Sequence, residues 1–187
     1  MTTTDVETFI IKHKDWIIKH LTQDKIDLYD PKLLTLWGNR FEAKYTQNRR
    51  NHLLYDGETL LVFEQYDLYK SLETFYKRET IKEMTRIINE EKSVLKEYFD
   101  MFDLSLKSQL MKSRLGSCIS TKKIIKLNSL LARFDKKYLK IVLYHELVHL
   151  NIQNHSQKFY KLLNNICPNY RSINKELKEK IAYINYL

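Results

Sequence analysis

Three of the chain's six histidines fall within eleven residues, in YHELVHLNIQNH from Tyr144 to His155. His145, Glu146 and His149 spell HExxH. On a helix, residues four apart stack one turn above the other on one face, so His145 and His149 can share a metal ion. Neutral imidazoles suit Zn²⁺. Glu146 is rotated about 100° from His145, beside that face rather than on it. From there its carboxylate reaches a metal-activated water as general base without being a ligand. Six His and 13 Glu among 187 residues would produce this pattern by chance about 0.01 times. The flanks agree: KIVLYHELVHL is apolar on the helix's other faces, as a buried metal helix requires.

A hydrolytic zinc site keeps one position open and needs a third protein ligand. His155 is the candidate. It lies six residues past His149, and a continuous helix would turn it about 240° away from that face. The helix must therefore end between them. Asn151, Gln153 and Asn154 allow this, because Asn tolerates the left-handed conformation at a helix end. Ser156 then caps the next helix and leaves His155 at the corner. The spacing equals that of the metzincin motif HExxHxxGxxH, but the glycine is Ile152 here, so the turn differs.

These residues need elements to hold them. Asp5 to Leu21 reads as an amphipathic helix, with Trp16 more a core residue than a ligand-stacking one. Phe41, Ala43 and Tyr45 alternate, and Asp56-Gly57 between two β-prone runs is a hairpin signal. Lys70 to Phe99 has helical periodicity. Strands are expected at 104–110 and 122–128, with RLGSC connecting them. Helices are expected over Tyr138 to Leu150, Ser156 to Cys167 and Arg171 to Tyr186, with Pro168 between the last two. Strands and helices are partly segregated, which predicts an α+β fold with a small antiparallel sheet packed on helices. The expected organisation is one domain over 1–187: an N-terminal helix and hairpins in 1–69, and a helix and catalytic core in 70–187.

Composition bounds the function classes. With 43% hydrophobic and 12% aromatic residues the chain is not a disordered one, and 3 Gly and 2 Pro exclude collagen-like and low-complexity classes. No glycine-rich phosphate loop is present. The net charge of +9 would favour a polyanionic partner, but the basic residues are scattered rather than clustered. Cys118 and Cys167 form no CxxC, and reduced thiols in a cytoplasmic protein are the simplest expectation. The start, MTTTDVETFI, lacks a signal-peptide pattern, and no apolar run approaches membrane-spanning length.

Five blocks occur in one order at characteristic spacing: SRLGSC (113–118), KLN (126–128), YHELVHL (144–150), NHSQKF (154–159) and CPNYR (167–171). The chain thereby resembles the YgjP-like metal-dependent hydrolases, zincin-like proteins related to the SprT and WLM groups. Their typical blocks are RWGSCS, a strand ending in LN, HELAHL, NHS..FW and P-[DN]-Y. The likeness covers roughly residues 7 to 187. It implies a zincin-like fold, Zn²⁺ held by His145, His149 and His155, and Glu146 as base. Leu115, Ser129 and Tyr160 stand where the family has Trp, outside the metal set.

The remaining candidates are Arg114, Gly116, Asn128, Tyr170 and Arg171. Arg114 is expected to hold an anionic substrate group or Glu146, and Gly116 to serve a tight turn or lie beside the active helix. Asn128 is expected either to bond a loop near the site or to serve a turn. Tyr170 and Arg171 are expected to polarise a substrate carbonyl or phosphate. The leading expectation is a zinc-dependent, metallopeptidase-like hydrolase acting on a peptide or protein. The alternatives are a nucleoside-triphosphate pyrophosphohydrolase using the same metal site, a SprT-like DNA-associated protease, and a non-enzymatic zinc-stabilised binding module.

Overall fold

A computed structural model of the chain describes residues 34–46, 53–63 and 67–181. The helix expected over Asp5 to Leu21, with Trp16, lies outside the described residues. The described part begins with a two-stranded hairpin, β1 (Thr35–Leu36) and β2 (Asn39–Arg40). Its turn residues Trp37 and Gly38 both take positive φ, 53° and 83°, the geometry that matches strand twist in a two-residue turn. Their N–H groups donate to the Ala132 and Arg133 carbonyls at 2.7 and 3.3 Å. The hairpin is thereby fastened to the chain just ahead of the HExxH helix.

β3 (Glu42–Thr46), β4 (Leu53–Tyr55) and β5 (Thr59–Phe63) form the first three-stranded sheet, with β5 central. The expected Asp56-Gly57 turn joins β4 to β5. The Asp56 carboxylate accepts from the Glu58 and Thr59 N–H groups at 2.9 and 2.8 Å, and Gly57 has φ 113°. The helix α1 (Leu68–Glu90) follows, capped by the Asp67 carboxylate on the Lys70 N–H. A short α2 (Lys92–Leu95) continues beyond Glu91, which leaves helical geometry. The single helix expected over Lys70 to Phe99 is thus broken in two.

The second sheet comprises β6 (Ser105–Gln109), β7 (Gly116–Ile119) and β8 (Ile124–Asn128), with β8 central. The two expected strands are β6 and β8. RLGSC is not merely a connection, because Gly116–Ile119 is itself an edge strand. Its Gly-Ser-Cys-Ile run carries no two-residue apolar alternation, so the pattern gave no strand signal. In both sheets the pairing is mixed rather than wholly antiparallel: β3 runs parallel to β5, and β6 parallel to β8.

The tight 3-10 turn Ser129–Arg133 leads into α3 (Lys136–Val148), then α4 (Gln157–Ile166) and α5 (Tyr170–Ile181). The α+β class expected from the sequence is the one observed. The apolar side chains of α3 are buried against α1, β7, β8, α4 and α5, with Leu139, Leu143, Leu147 and Val148 inaccessible to solvent. Each such leucine contributes roughly 1.5–3 kcal/mol. A second apolar cluster, centred on Leu60, Leu72, Phe75 and Tyr76, lies between the first sheet and the start of α1. Among the described residues no helix is long and apolar enough to cross a membrane.

Candidate metal centre and active-site cavity

α3 is capped by the Asp135 carboxylate, which accepts from the Lys137 N–H at 2.8 Å. Its burial on nearly every face fixes its rotation, and with it the direction of His145 and Glu146 in its last turn. The helix ends at Val148 and His149 is the first residue beyond. No left-handed residue makes this end, since the non-glycine residues of positive φ are Trp37, Asp103 and Lys123 among those described. The chain instead tightens: the N–H groups of Leu150 and Asn151 donate to the Leu147 and Val148 carbonyls at 3.0 and 3.1 Å. Asn151 then ties the turn to the Tyr98 carbonyl at 2.8 Å, and Gln153 to the His149 carbonyl at 2.7 Å. Ser156 occupies the cap position of α4 without a side-chain capping bond, and His155 sits at the corner before it.

One potential ligand atom from each of His145, His149 and His155 lies within 4.8 Å of the others. His145 Nε2 and His155 Nε2 are 2.9 Å apart. Nitrogens held about 2.1 Å from one tetrahedral ion are roughly 3.4 Å apart, so the cluster brackets the required spacing. The ring of Phe159, fully buried, lies 4.9, 4.7 and 4.8 Å from the centres of the three imidazoles and supports them all.

The hydrogen bonds also suit a metal. His149 Nδ1 is 2.9 Å from the Ile152 carbonyl, which only accepts, so Nδ1 carries the proton and Nε2 a free lone pair. His145 Nδ1 is 3.1 Å from the Tyr170 hydroxyl, and donation to that oxygen frees Nε2 in the same way. Burial, reinforced by the neighbouring imidazoles, pulls the His145 pKa down to about 4. Burial lowers that of His149 too. Both rings are therefore neutral near pH 7, the form that ligates Zn²⁺.

Glu146 is buried, and burial raises its pKa to about 7 against the opposing charge of Arg114. Gly116 of β7 lies directly against it. A Cβ on Gly116 would sit 2.6 Å from Glu146 Oε1, 2.8 Å from Cγ and 2.9 Å from Cδ. The positive-φ glycines are Gly38 and Gly57, so Gly116 serves a close approach rather than a turn. Asn128, at the end of β8, holds the adjoining segment. Its amide donates to the Met111 and Arg114 carbonyls at 2.7 and 3.0 Å, and its oxygen accepts from the Leu130 N–H at 3.1 Å. Of the two roles expected for Asn128, it fills both.

A cavity of about 420 Å³ opens beside these groups, lined by His145, Glu146, His155, Arg114, Tyr160 and Tyr170, with Asn174 and Lys178 farther along α5. Arg171 is exposed and does not line it; it follows Tyr170 by about 100° around the helix and points elsewhere. Burial keeps the Tyr170 phenol protonated, with its pKa pushed up to about 12. Cys118, half-buried near Glu146, has its thiol pushed up to about 11 by burial and then by that carboxylate, and it is outside the histidine cluster. Sequence reasoning did not assign Phe159, Asn174 or Lys178 to the site. For Phe159 the signal was its place in the NHSQKF block; for Asn174 and Lys178 it was their four-residue spacing from Tyr170.

A family model described as YgjP-like, metallopeptidase domain matches residues 1–180. No match was found among curated proteins. Among solved structures, the chain is similar to the metallopeptidase zymogen abylysin of Pyrococcus abyssi, with 18% identity and a TM-score of 0.47 over 56% of this chain and 99% of that one. It is also similar to the zymogen jannalysin of Methanocaldococcus jannaschii, with 25% identity and a TM-score of 0.44 over 52% of this chain and 96% of that one. The family match extends over nearly the whole sequence and includes the histidine cluster, so this chain belongs to the YgjP-like metallopeptidase domain family.

Proposed function

We propose that the chain is a zinc-dependent peptidase whose metal is held by His145, His149 and His155 and whose general base is Glu146. The observation that carries this reading is the convergence of three imidazoles beside a buried carboxylate on one packed helix end. Zn²⁺ held there supplies a Lewis acid for the substrate carbonyl and lowers the pKa of water. Glu146 takes a proton from the attacking water at a carboxylate oxygen and returns it to the leaving amine. Burial raises the pKa of this carboxylate, which favours its taking up the proton. Gly116 leaves the Glu146 side chain its space. Tyr170 accepts from His145 Nδ1 and so holds that ring with Nε2 turned towards the metal position. Arg114 places positive charge at the same cavity.

Family membership supports a peptide or protein substrate. It lends nothing specific to the nucleotide, DNA-associated or non-enzymatic readings. The test is metal content by mass spectrometry with peptide turnover, on the wild type, His149→Ala and Glu146→Gln. About one zinc per chain is expected, lost in His149→Ala and kept in Glu146→Gln, with turnover abolished in both. Full turnover by Glu146→Gln would refute the base, and failure of the wild type to take up zinc would refute the centre.

A further inference from the structure

Tyr170, Asn174 and Lys178 of α5 all face the cavity. Their four-residue spacing places them on one stripe of the helix. Tyr170 meets His145, so the stripe runs outward from the histidine cluster. Eight residues at 1.5 Å set Lys178 about 12 Å along the axis from Tyr170. An extended peptide advances about 3.3–3.6 Å per residue, so that distance is roughly three or four substrate residues.

The charges of α5 are not equivalent. Glu176 pairs with Lys137 at 2.6 Å and also feels Lys180, and Lys175 has Glu179 four residues on. Lys178 has Asn174 and Lys175 one turn before it and Ile181 three residues after it. It makes no ion pair among the described residues. Arg114, from the segment before β7, lines the same cavity, is exposed and makes no ion pair among them either. The carboxylate lining the cavity is Glu146, which is buried. Two solvated cations thus flank the cavity, and among the described residues no anion is paired with Lys178.

We propose that Lys178 is a specificity-determining residue that reads a carboxylate on the peptide substrate, about three or four residues from the cleaved bond. Asn174 bonds the intervening peptide backbone, and Arg114 adds to the positive potential of the cavity. The assignment rests on the peptidase reading above. The substrates are therefore acidic peptides, recognised through a side chain or a terminal carboxylate.

The experiment measures kcat/KM of the zinc-loaded full chain on one peptide series. A single Glu is moved through positions on both sides of the cleaved bond, with both termini blocked, and a parallel set has a free C-terminus. At one position the Glu peptide should exceed its Gln counterpart by roughly 1.4- to fivefold, mostly in KM, since a solvated ion pair is worth about 0.2–1 kcal/mol. The ratio should fall towards one in Lys178→Gln and invert in favour of a Lys peptide in Lys178→Glu. It should persist in Lys175→Gln and shrink at high salt. A preference seen in the blocked series assigns the side chain, and one confined to free C-termini assigns the terminal carboxylate. Equal cleavage of acidic and neutral peptides, or a preference that survives Lys178→Glu, overturns the assignment while the peptidase reading stands. Cleavage of no peptide at all overturns both.

Discussion

The two three-stranded sheets have the same design. In each, the first strand runs parallel to the third, the second runs antiparallel to it, and the third is central. They differ in what their strands meet. The first sheet joins a purely apolar and aromatic cluster, in which Phe41, Tyr55, Phe75 and Tyr76 pack edge to face or tilted. The edge strand of the second presents Gly116 to a buried carboxylate, and its central strand ends in Asn128, with all its side-chain bonds spent on local backbone. One topology therefore serves packing in one place and chemistry in the other. What separates them is the neighbour of β7, Glu146 of α3, since β6 and β8 of the same sheet also pack on α1.

Paired substitutions, one in each region, test that contrast. The largest effect is expected from Phe75 and Phe159, which are fully buried. Either truncated to Ala should lose about 3–5 kcal/mol in urea melts. Phe159→Ala should also weaken zinc affinity, because that ring supports all three imidazoles, whereas Phe75→Ala should leave affinity per folded molecule unchanged. Equal zinc affinity in the two variants would remove the contrast.

Next come the glycines. Gly116→Ala forces Glu146 aside and should lower turnover roughly hundredfold, the usual cost of misplacing a reacting group by about 1 Å. Its zinc content should stay near that of the wild type. Gly57→Ala meets nothing within 4 Å but retains a strained φ of 113°. It should cost about 1–2 kcal/mol of stability and no activity.

The tyrosines sharpen the comparison further. Tyr170→Phe removes the partner of His145 Nδ1 and should weaken zinc binding by roughly tenfold or more, as loss of a group supporting a ligand usually does. Tyr76 donates to the Thr35 carbonyl at 3.0 Å, and Tyr76→Phe should cost about 1 kcal/mol with no change in zinc affinity. Competition with a chromophoric chelator would read both.

The smallest effect concerns Glu83, which joins α1 to α3 through Lys136 at 2.9 Å. Burial alone would raise its pKa, but hydrogen bonds from Arg86 and Lys136 outweigh burial and hold it below the usual value. A depressed folded pKa contributes stability above the unfolded value, and that contribution is lost as pH falls through the folded one. The stability gap between wild type and Glu83→Gln in urea melts should therefore be full near pH 7 and close as the pH drops below the ordinary Glu range. A gap independent of pH would refute the linkage.

The elements were legible where periodicity was strong. The helical stretches expected from Lys70 onward, the Asp56-Gly57 hairpin and the two strands around 104–110 and 122–128 appear among the described residues. β7 was not legible, because four residues beginning with Gly-Ser carry no alternation and form a strand only when β8 supplies the ladder. The rotation of His155 required the HExxH helix to stop before it, and the helix does stop, at Val148 rather than past His149, through a tight turn instead of a left-handed Asn. For the site, Arg114 and Tyr170 do line the cavity and Arg171 does not.

The sequence by itself determined that His145 and His149 meet, because a four-residue helical spacing brings two imidazoles to one face wherever that helix lies. It also determined the class of the fold through the periods of its apolar residues. Tertiary structure alone decided which groups complete the site from a distance. Gly116 meets Glu146 across 30 positions of chain, Tyr170 meets His145 across 25, and Phe159 reaches all three imidazoles at once. No local pattern encodes such meetings, since they depend on how α3, α4, α5 and β7 close around one apolar core.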